Sequence, residues 1–242
     1  MSWNWQVIWE SLPALLNASL VTIGLVVISG LLGLVLAVPL ALARLSKRPY
    51  VAALPFVYMF FFRGTPLLVQ IFLIYYGIGP FIPDSMKQGW LWDEVLAKPY
   101  FWAIVAFTLN TAAYTAEIIR GAVKAIPKGE NEAADALGMS YRQKLRRIIL
   151  PRAFGIMLPA YSNEVIFMLK GSALASTISI MDLTGQAKTL IAKNYATLEM
   201  YFAAGVLYLI LASVFIAIFR VIERRANRHL FSVPVSTTEV TA

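Results

Sequence analysis

The sequence predicts an all-α integral membrane protein of five transmembrane helices, with a cytoplasmic helix–turn–helix segment. Three observations lead there. Of 242 residues, 59% are hydrophobic and 14% charged, with a mean hydropathy of +0.69, whereas a soluble domain is about 45–50% apolar and about 25% charged. The apolar residues fall in stretches long enough to cross a bilayer, which takes ~20 residues per helix. The basic residues alternate in sidedness: fifteen lie in segments assigned to the cytoplasm, against Lys87, Lys98, Lys188 and Lys193 outside. Lysine and arginine favour the cytoplasmic side, so the N-terminus is expected outside and the C-terminus in the cytoplasm, as an odd number of spans requires.

The first span, about 14–43, has no charge and ends at Arg44, Lys47 and Arg48. A secretory signal carries its positive charge before the apolar core, so this helix is retained. Trp3, Trp5 and Trp9 fall where an interfacial aromatic belt is expected. The second span, about 52–79, is interrupted by Arg63-Gly64-Thr65-Pro66. It is expected to enter from the cytoplasmic interface, kink near Arg63 and cross through Leu67 to Tyr76. Asp84 to Lys98 is a polar external loop, and 101–120 is the third span. The fourth, about 153–170, contains Pro159, Asn163 and Glu164; a mixed, partly re-entrant piece then leads to the fifth, about 201–220. Residues 1–231 make one transmembrane domain, and 232–242, rich in Ser, Thr and Val, a flexible tail.

Between the third and fourth spans the composition turns charged and helical, over about 127–151. Glu130 to Leu137 suits a short helix that Gly138 ends, because glycine takes the left-handed C-cap conformation freely. Ser140 and Gln143 have capping-box spacing for a second helix, which Pro151 is expected to terminate. Glu132 beside two small alanines, Ala133 and Ala134, offers a surface that a groove in another protein can approach closely. On spacing alone, a docking element and a solvated or lipid-bound basic hairpin fit equally well.

Several chemistries are excluded. With no cysteine and one histidine, His229, there are no disulfides, thiolate metal sites or histidine relays, so no metal site is expected. No G-x-x-x-x-G-K-[S/T] phosphate loop occurs, so the chain should not bind or hydrolyse ATP itself. The basic excess orients spans and is not a nucleic-acid signal.

The run Glu132-Ala133-Ala134, Gly138, Ile148 and Leu150-Pro151 resembles the signature loop of binding-protein-dependent ABC transporter permeases. FRGTPLLVQ (62–70), TLNTAAYTAEIIRGA (108–122) and LPAYSNEVIFMLKGSALAST (158–177) resemble the polar amino acid branch. Within it, the chain is similar to the M-type permeases of histidine/lysine/arginine/ornithine and octopine/nopaline transporters. The resemblance implies a type I importer permease, paired with a homologous permease subunit in a heterodimer. It further implies two ATP-binding subunits that carry ATP and magnesium, a periplasmic amino acid-binding protein and an inner-membrane location. The Glu-Ala-Ala helix would seat in a cleft of the ATPase.

Ionisable groups inside a membrane are costly and mark function by default. Glu164 sits mid-span beside Asn163, five residues after Pro159, which can open a polar cavity. It is the candidate carboxylate for a cationic side chain, with Asn110, Thr111 and Asn163 supplying neutral hydrogen bonds; pairing with Arg63 or Lys170 is the structural alternative. Glu117 shares a helical face with Asn110 and Tyr114, itself a further substrate-path candidate; it lies three residues before Arg120, where a structural ion pair fits at least as well as a transport or gating role. Arg63 and Pro66 fit a structural or gating role, although Arg63 is also placed to meet a substrate carboxylate. Cationic amino acids are the expected cargo, with opines as the alternative. An ATPase-independent secondary transporter fits poorly, since no internal repeat is seen.

Overall fold

The computed structural model describes residues 3–78 and 81–226; Arg228, His229 and the 232–242 segment lie outside the described residues. Helix α1 runs from Trp5–Arg44, capped by the Asn4 side chain, which accepts the Gln6 N–H at 3.0 Å. Its buried stripe is built from small residues, including Ser19, Ser29, Gly30, Gly33, Ala37 and Ala41. Helix α4, Pro99–Lys124, answers with Ala103, Ala106, Ala112, Ala113, Ala116 and Ala122. In lipid, burial of apolar surface does not drive helix association, so close approach of small-residue faces must supply packing energy. α1 and α4 form the most extensive helix pair of the fold. At Gly33 the approach is so close that an added Cβ would stand 2.3 Å from Thr111 Cγ2.

The second apolar segment is not a kinked single helix. Helix α2, Pro49–Gly64, stops at Thr65 and Pro66, both extended, and α3, Leu67–Phe72, continuing as a π turn over Leu73–Gly77, leaves at 109° to it. Proline denies helical geometry to the residue before it. Thr65 therefore leaves the helix at ψ 149°, and the chain turns a corner where the sequence suggested only a bend.

Helix α5, Lys128–Ala136, ends at Gly138, whose φ of 69° is left-handed; the Gly138 and Met139 N–H groups return to the Asp135 and Ala134 carbonyls. The Ser140–Gln143 capping box opens α6, Tyr141–Lys144. Pro151 does not end this helix. A π turn over Leu145–Ile149 carries α6 into α7, Leu150–Gly171, and Pro151 sits in the first turn of α7. The Leu150 N–H reaches back five residues to the Leu145 carbonyl. That wider turn shifts the hydrogen-bond register, so the missing proline N–H costs little there.

Beyond α7, a 3-10 stretch, Ser172–Ile178, and left-handed Ser179 (φ 66°) lead to α8, Leu183–Asn194. α8 packs its Leu183 and Ala187 against Leu15 of α1 and against Met200, Ala203 and Leu207 of α9, Thr197–Ala226. The remainder of α9 exposes Leu209, Ile210, Val214 and Ile218, a face suited to lipid. Trp3, Trp5 and Phe202 stack edge to face where the starts of α1 and α9 meet. Among the described residues α1, α4 and α9 are each long and apolar enough to span a membrane. Counted as one broken span each, the bent α2–α3 pair and the pair formed by α6–α7 with α8 bring the total to five.

Candidate functional site

The corner between α2 and α3 opens a pocket of ≈ 340 Å³ toward α4 and α7, lined by Thr65, Pro66, Asn110, Tyr114 and Glu164, with apolar walls. Four predicted site residues, Pro66, Asn110, Tyr114 and Glu164, therefore meet here. Thr111 is buried behind the wall and donates its hydroxyl to Glu164 Oε1 at 3.3 Å. Asn163 is exposed and does not line the pocket, because adjacent helical residues point about 100° apart. Pro159 does not line it either, and α7 runs through it unbroken. The cavity comes from the Thr65–Pro66 corner.

Glu164 has no basic partner within ion-pair distance among the described residues: Arg63 turns to Glu117 at 3.9 Å, and Lys170 lies over the Phe167 ring at 6.0 Å. Neither structural pairing open to Glu164 from the sequence is formed. Tyr161, one turn before it, donates to the Gly30 carbonyl at 3.0 Å and locks α7 onto α1.

The sequence reading missed the residue that holds the corner. Gln70, 1% exposed, donates to the Phe62 carbonyl at 2.8 Å and to the Thr65 carbonyl and hydroxyl at 3.0 and 2.8 Å. Those carbonyls lost their helical partners where α2 stopped, and a buried carbonyl must find another donor. Gln70 in turn accepts from Asn110 at 2.9 Å. A lone glutamine in an apolar run, four residues past a proline, was the available signal. Asp182 was missed as well. Fully buried, it caps α8 by accepting the Thr184 and Gly185 N–H groups and also accepts the Tyr208 hydroxyl at 3.1 Å.

Toward the C-terminal end of α4, Glu117 takes both Arg120 and Arg63, and the Arg63 guanidinium stacks on Tyr114 at 5.5 Å. The structural pairing expected of Glu117 is present.

In the segment between α4 and α7, α5 is tied to α6 by Asp135–Lys144 at 2.7 Å and to α7 by Glu130–Arg152 at 3.2 Å. Glu132, Ala133, Leu137 and Tyr141 are exposed. The two alanines do not share one outer surface: Ala134 is 1% exposed and faces inward, since its Cβ points about 100° away from that of Ala133. Gly138 supplies the reversal that holds the segment outward.

A bundle of broken and continuous membrane helices around a polar midspan pocket, with an outward helical segment, defines a membrane transport subunit. The chain belongs to the family described as binding-protein-dependent transport system inner membrane component, which it matches over residues 31–228. It is similar to the nopaline transport system permease protein NocM of Agrobacterium fabrum, at 45% identity over 93% of this chain and 92% of the relative. It is 40% identical to the histidine/lysine/arginine/ornithine transport system permease protein HisM of Escherichia coli (strain K12), over 87% of each chain. Among solved structures it resembles an amino acid ABC transporter crystallised with histidines, at 31% identity and a TM-score of 0.80, covering 93% of this chain and 100% of the other. The chain is an ABC transporter permease subunit with the type I importer fold.

Proposed function

We propose that the chain is one permease subunit of an ATP-driven importer of cationic amino acids, and that the Glu164 pocket is its half of the translocation path. One observation carries this reading: Glu164 faces a midspan pocket with only Thr111 as a hydrogen-bond partner and no basic residue paired to it among the described residues. A carboxylate at that depth without a countercharge is costly, and a passing ammonium or guanidinium would be its missing partner. Asn110 and Tyr114 line the same pocket with neutral groups for the α-amino and α-carboxyl ends, while Thr111 orients the carboxylate. Arginine, lysine, ornithine and histidine fit this chemistry, and the HisM resemblance supports it. Opines are the second reading, favoured by the resemblance to the nopaline permease.

A homologous permease subunit would complete the path, and a periplasmic amino acid-binding protein would deliver the substrate. Two ATP-binding subunits, holding ATP and magnesium, would dock on α5 through exposed Glu132 and Ala133, with Ala134 and Gly138 setting its pose. The basic residues between spans support an inner-membrane orientation with the N-terminus outside and the C-terminus in the cytoplasm.

The test is uptake by the complete importer in proteoliposomes with its loaded binding protein. Glu164→Gln should lower arginine uptake by about tenfold or more, the worth of one charge-assisted contact, while assembly and basal ATP hydrolysis persist. Unchanged arginine uptake in a normally assembled variant would overturn the reading.

A further inference from the structure

A second pocket, ≈ 360 Å³, lies between α1, α2 and α4 and is lined by Arg44, Arg63, Gly64, Glu117 and Arg120 with Phe56 and Phe60. It shares one wall, α4, with the Glu164 pocket and meets it at the end of α2. On α2 it begins at Gly64, next to Thr65, which lines the other pocket. On α4, Glu117 and Arg120 stand seven and ten residues beyond Asn110, roughly 10–15 Å nearer the cytoplasm at the helical rise. The boundary between the pockets is one contact: Arg63 stacks on Tyr114, and the Tyr114 hydroxyl donates to the Arg63 carbonyl at 3.4 Å.

The charge of this second pocket is opposite to that of the first. Three guanidiniums from three helices converge with one carboxylate, Glu117, which is already shared by Arg63 and Arg120. Arg44 has no ion pair among the described residues and rests over Phe56 at 5.0 Å. Arginines gathered in excess of their counterions form a ready receptor for a planar anion, and they repel a bare cation.

We propose that Arg44, Arg63 and Arg120 form an inner, carboxylate-receiving subsite on the translocation path, directly cytoplasmic of the Glu164 pocket. It rests on the reading of Glu164 as the site for the cationic end. Charges then alternate along the route, negative and then positive, so a molecule advances only if it carries a carboxylate as well as a cation. Cationic amino acids satisfy this, and N-carboxyalkyl derivatives with a second carboxylate satisfy it better. The decarboxylated amine does not.

Arg44→Gln isolates the subsite, because it leaves the Glu117 pairings intact. The readout is uptake per ATP hydrolysed in proteoliposomes, for arginine, an N-carboxyalkyl arginine and the decarboxylated amine, each corrected for its measured occupancy of the binding protein. The expected result is about a tenfold loss for arginine and a larger one for the two-carboxylate substrate, with recovery in Arg44→Lys. The wild-type importer should pass the amine poorly, and Arg44→Gln should relax that rejection. Equal losses for all three compounds, or a loss that follows the anionic lipid content of the vesicle, would overturn the proposal. So would unchanged uptake in Arg44→Gln. If Glu164→Gln keeps its effect in that case, only this subsite is refuted; if Glu164→Gln is silent too, the pocket reading fails first.

Discussion

The Asn110 amide donates to the Gln70 side-chain oxygen at 2.9 Å, joining the middle of α4 to the segment just past the α2–α3 corner. Gln70 spends its own amide on the carbonyls and hydroxyl that the corner leaves open. One buried side chain thus fixes both the angle of the break and one wall of the pocket. Gln70→Leu should strand the Thr65 carbonyl and leave the Phe62 carbonyl and Asn110 amide only their long 3.4 Å contact with each other, at about 1–3 kcal/mol for each buried group left unpaired. Thermal unfolding of the purified complex should show the loss, with transport falling further than stability alone explains. A variant with wild-type Tm and uptake would refute the role given to Gln70.

Gly33 lets α1 touch the wall behind Glu164. Gly33→Ala places a methyl 2.3 Å from Thr111 Cγ2 and 3.4 Å from the Ala112 nitrogen and Thr108 oxygen. Threonine is stiff at χ1 and backbone cannot retreat, so overpacking of about 1–3 kcal/mol is expected. Gly205→Ala on α9, where nothing stands within 4 Å, is the control and should hold or raise Tm. Equal Tm values for the two variants would show that the α1–α4 contact is looser than described.

Gly138 holds the reversal between α5 and α6 at a φ of 69°. Gly138→Ala finds open space for its methyl but meets the left-handed backbone penalty, about 1–2 kcal/mol. Because α5 is a short surface helix, the cost should appear as weaker retention of the ATPase in pull-down assays and not as loss of the membrane core. Gly138→Asn, which tolerates that region better, should retain more. Identical retention by Gly138→Ala and wild type would remove the reversal from the docking account.

Asp182 caps α8 and accepts the Tyr208 hydroxyl, linking α8 to α9 while the Leu183 N–H donates to Thr22 of α1 at 3.1 Å. Asp182→Ala should cost about 0.5–2 kcal/mol for the cap, and more because Tyr208 loses a buried acceptor. Tyr208→Phe removes the other half and should be milder. A double variant no worse than Asp182→Ala alone would establish the coupling; full additivity would show the two contacts to be independent.

Much of the candidate site was legible as composition against expectation. Glu164, Asn110, Tyr114 and Pro66 stood out as polar or helix-breaking residues in apolar runs, and all four line the pocket. Gln70 meets the same criterion, but its role depends on carbonyls freed by a break whose angle its sequence neighbours do not reveal. Asn163 is next to Glu164 in the chain, yet its side chain is exposed and does not line the pocket. Ala134 likewise stood next to Ala133 and is turned inward.

The sequence by itself determined the membrane class and the local turn chemistry of Gly138 and the Ser140–Gln143 cap. Each depends on composition or on neighbours within a few residues. Only the tertiary structure decided that the Thr65–Pro66 break becomes a 109° corner, that Pro151 sits harmlessly in the first turn of a helix, and that Arg63 pairs with Glu117 and not with Glu164. Those outcomes depend on which helix stands opposite: a carbonyl freed at a break, or a carboxylate inside a span, is satisfied or left waiting according to what the neighbouring helix brings to it.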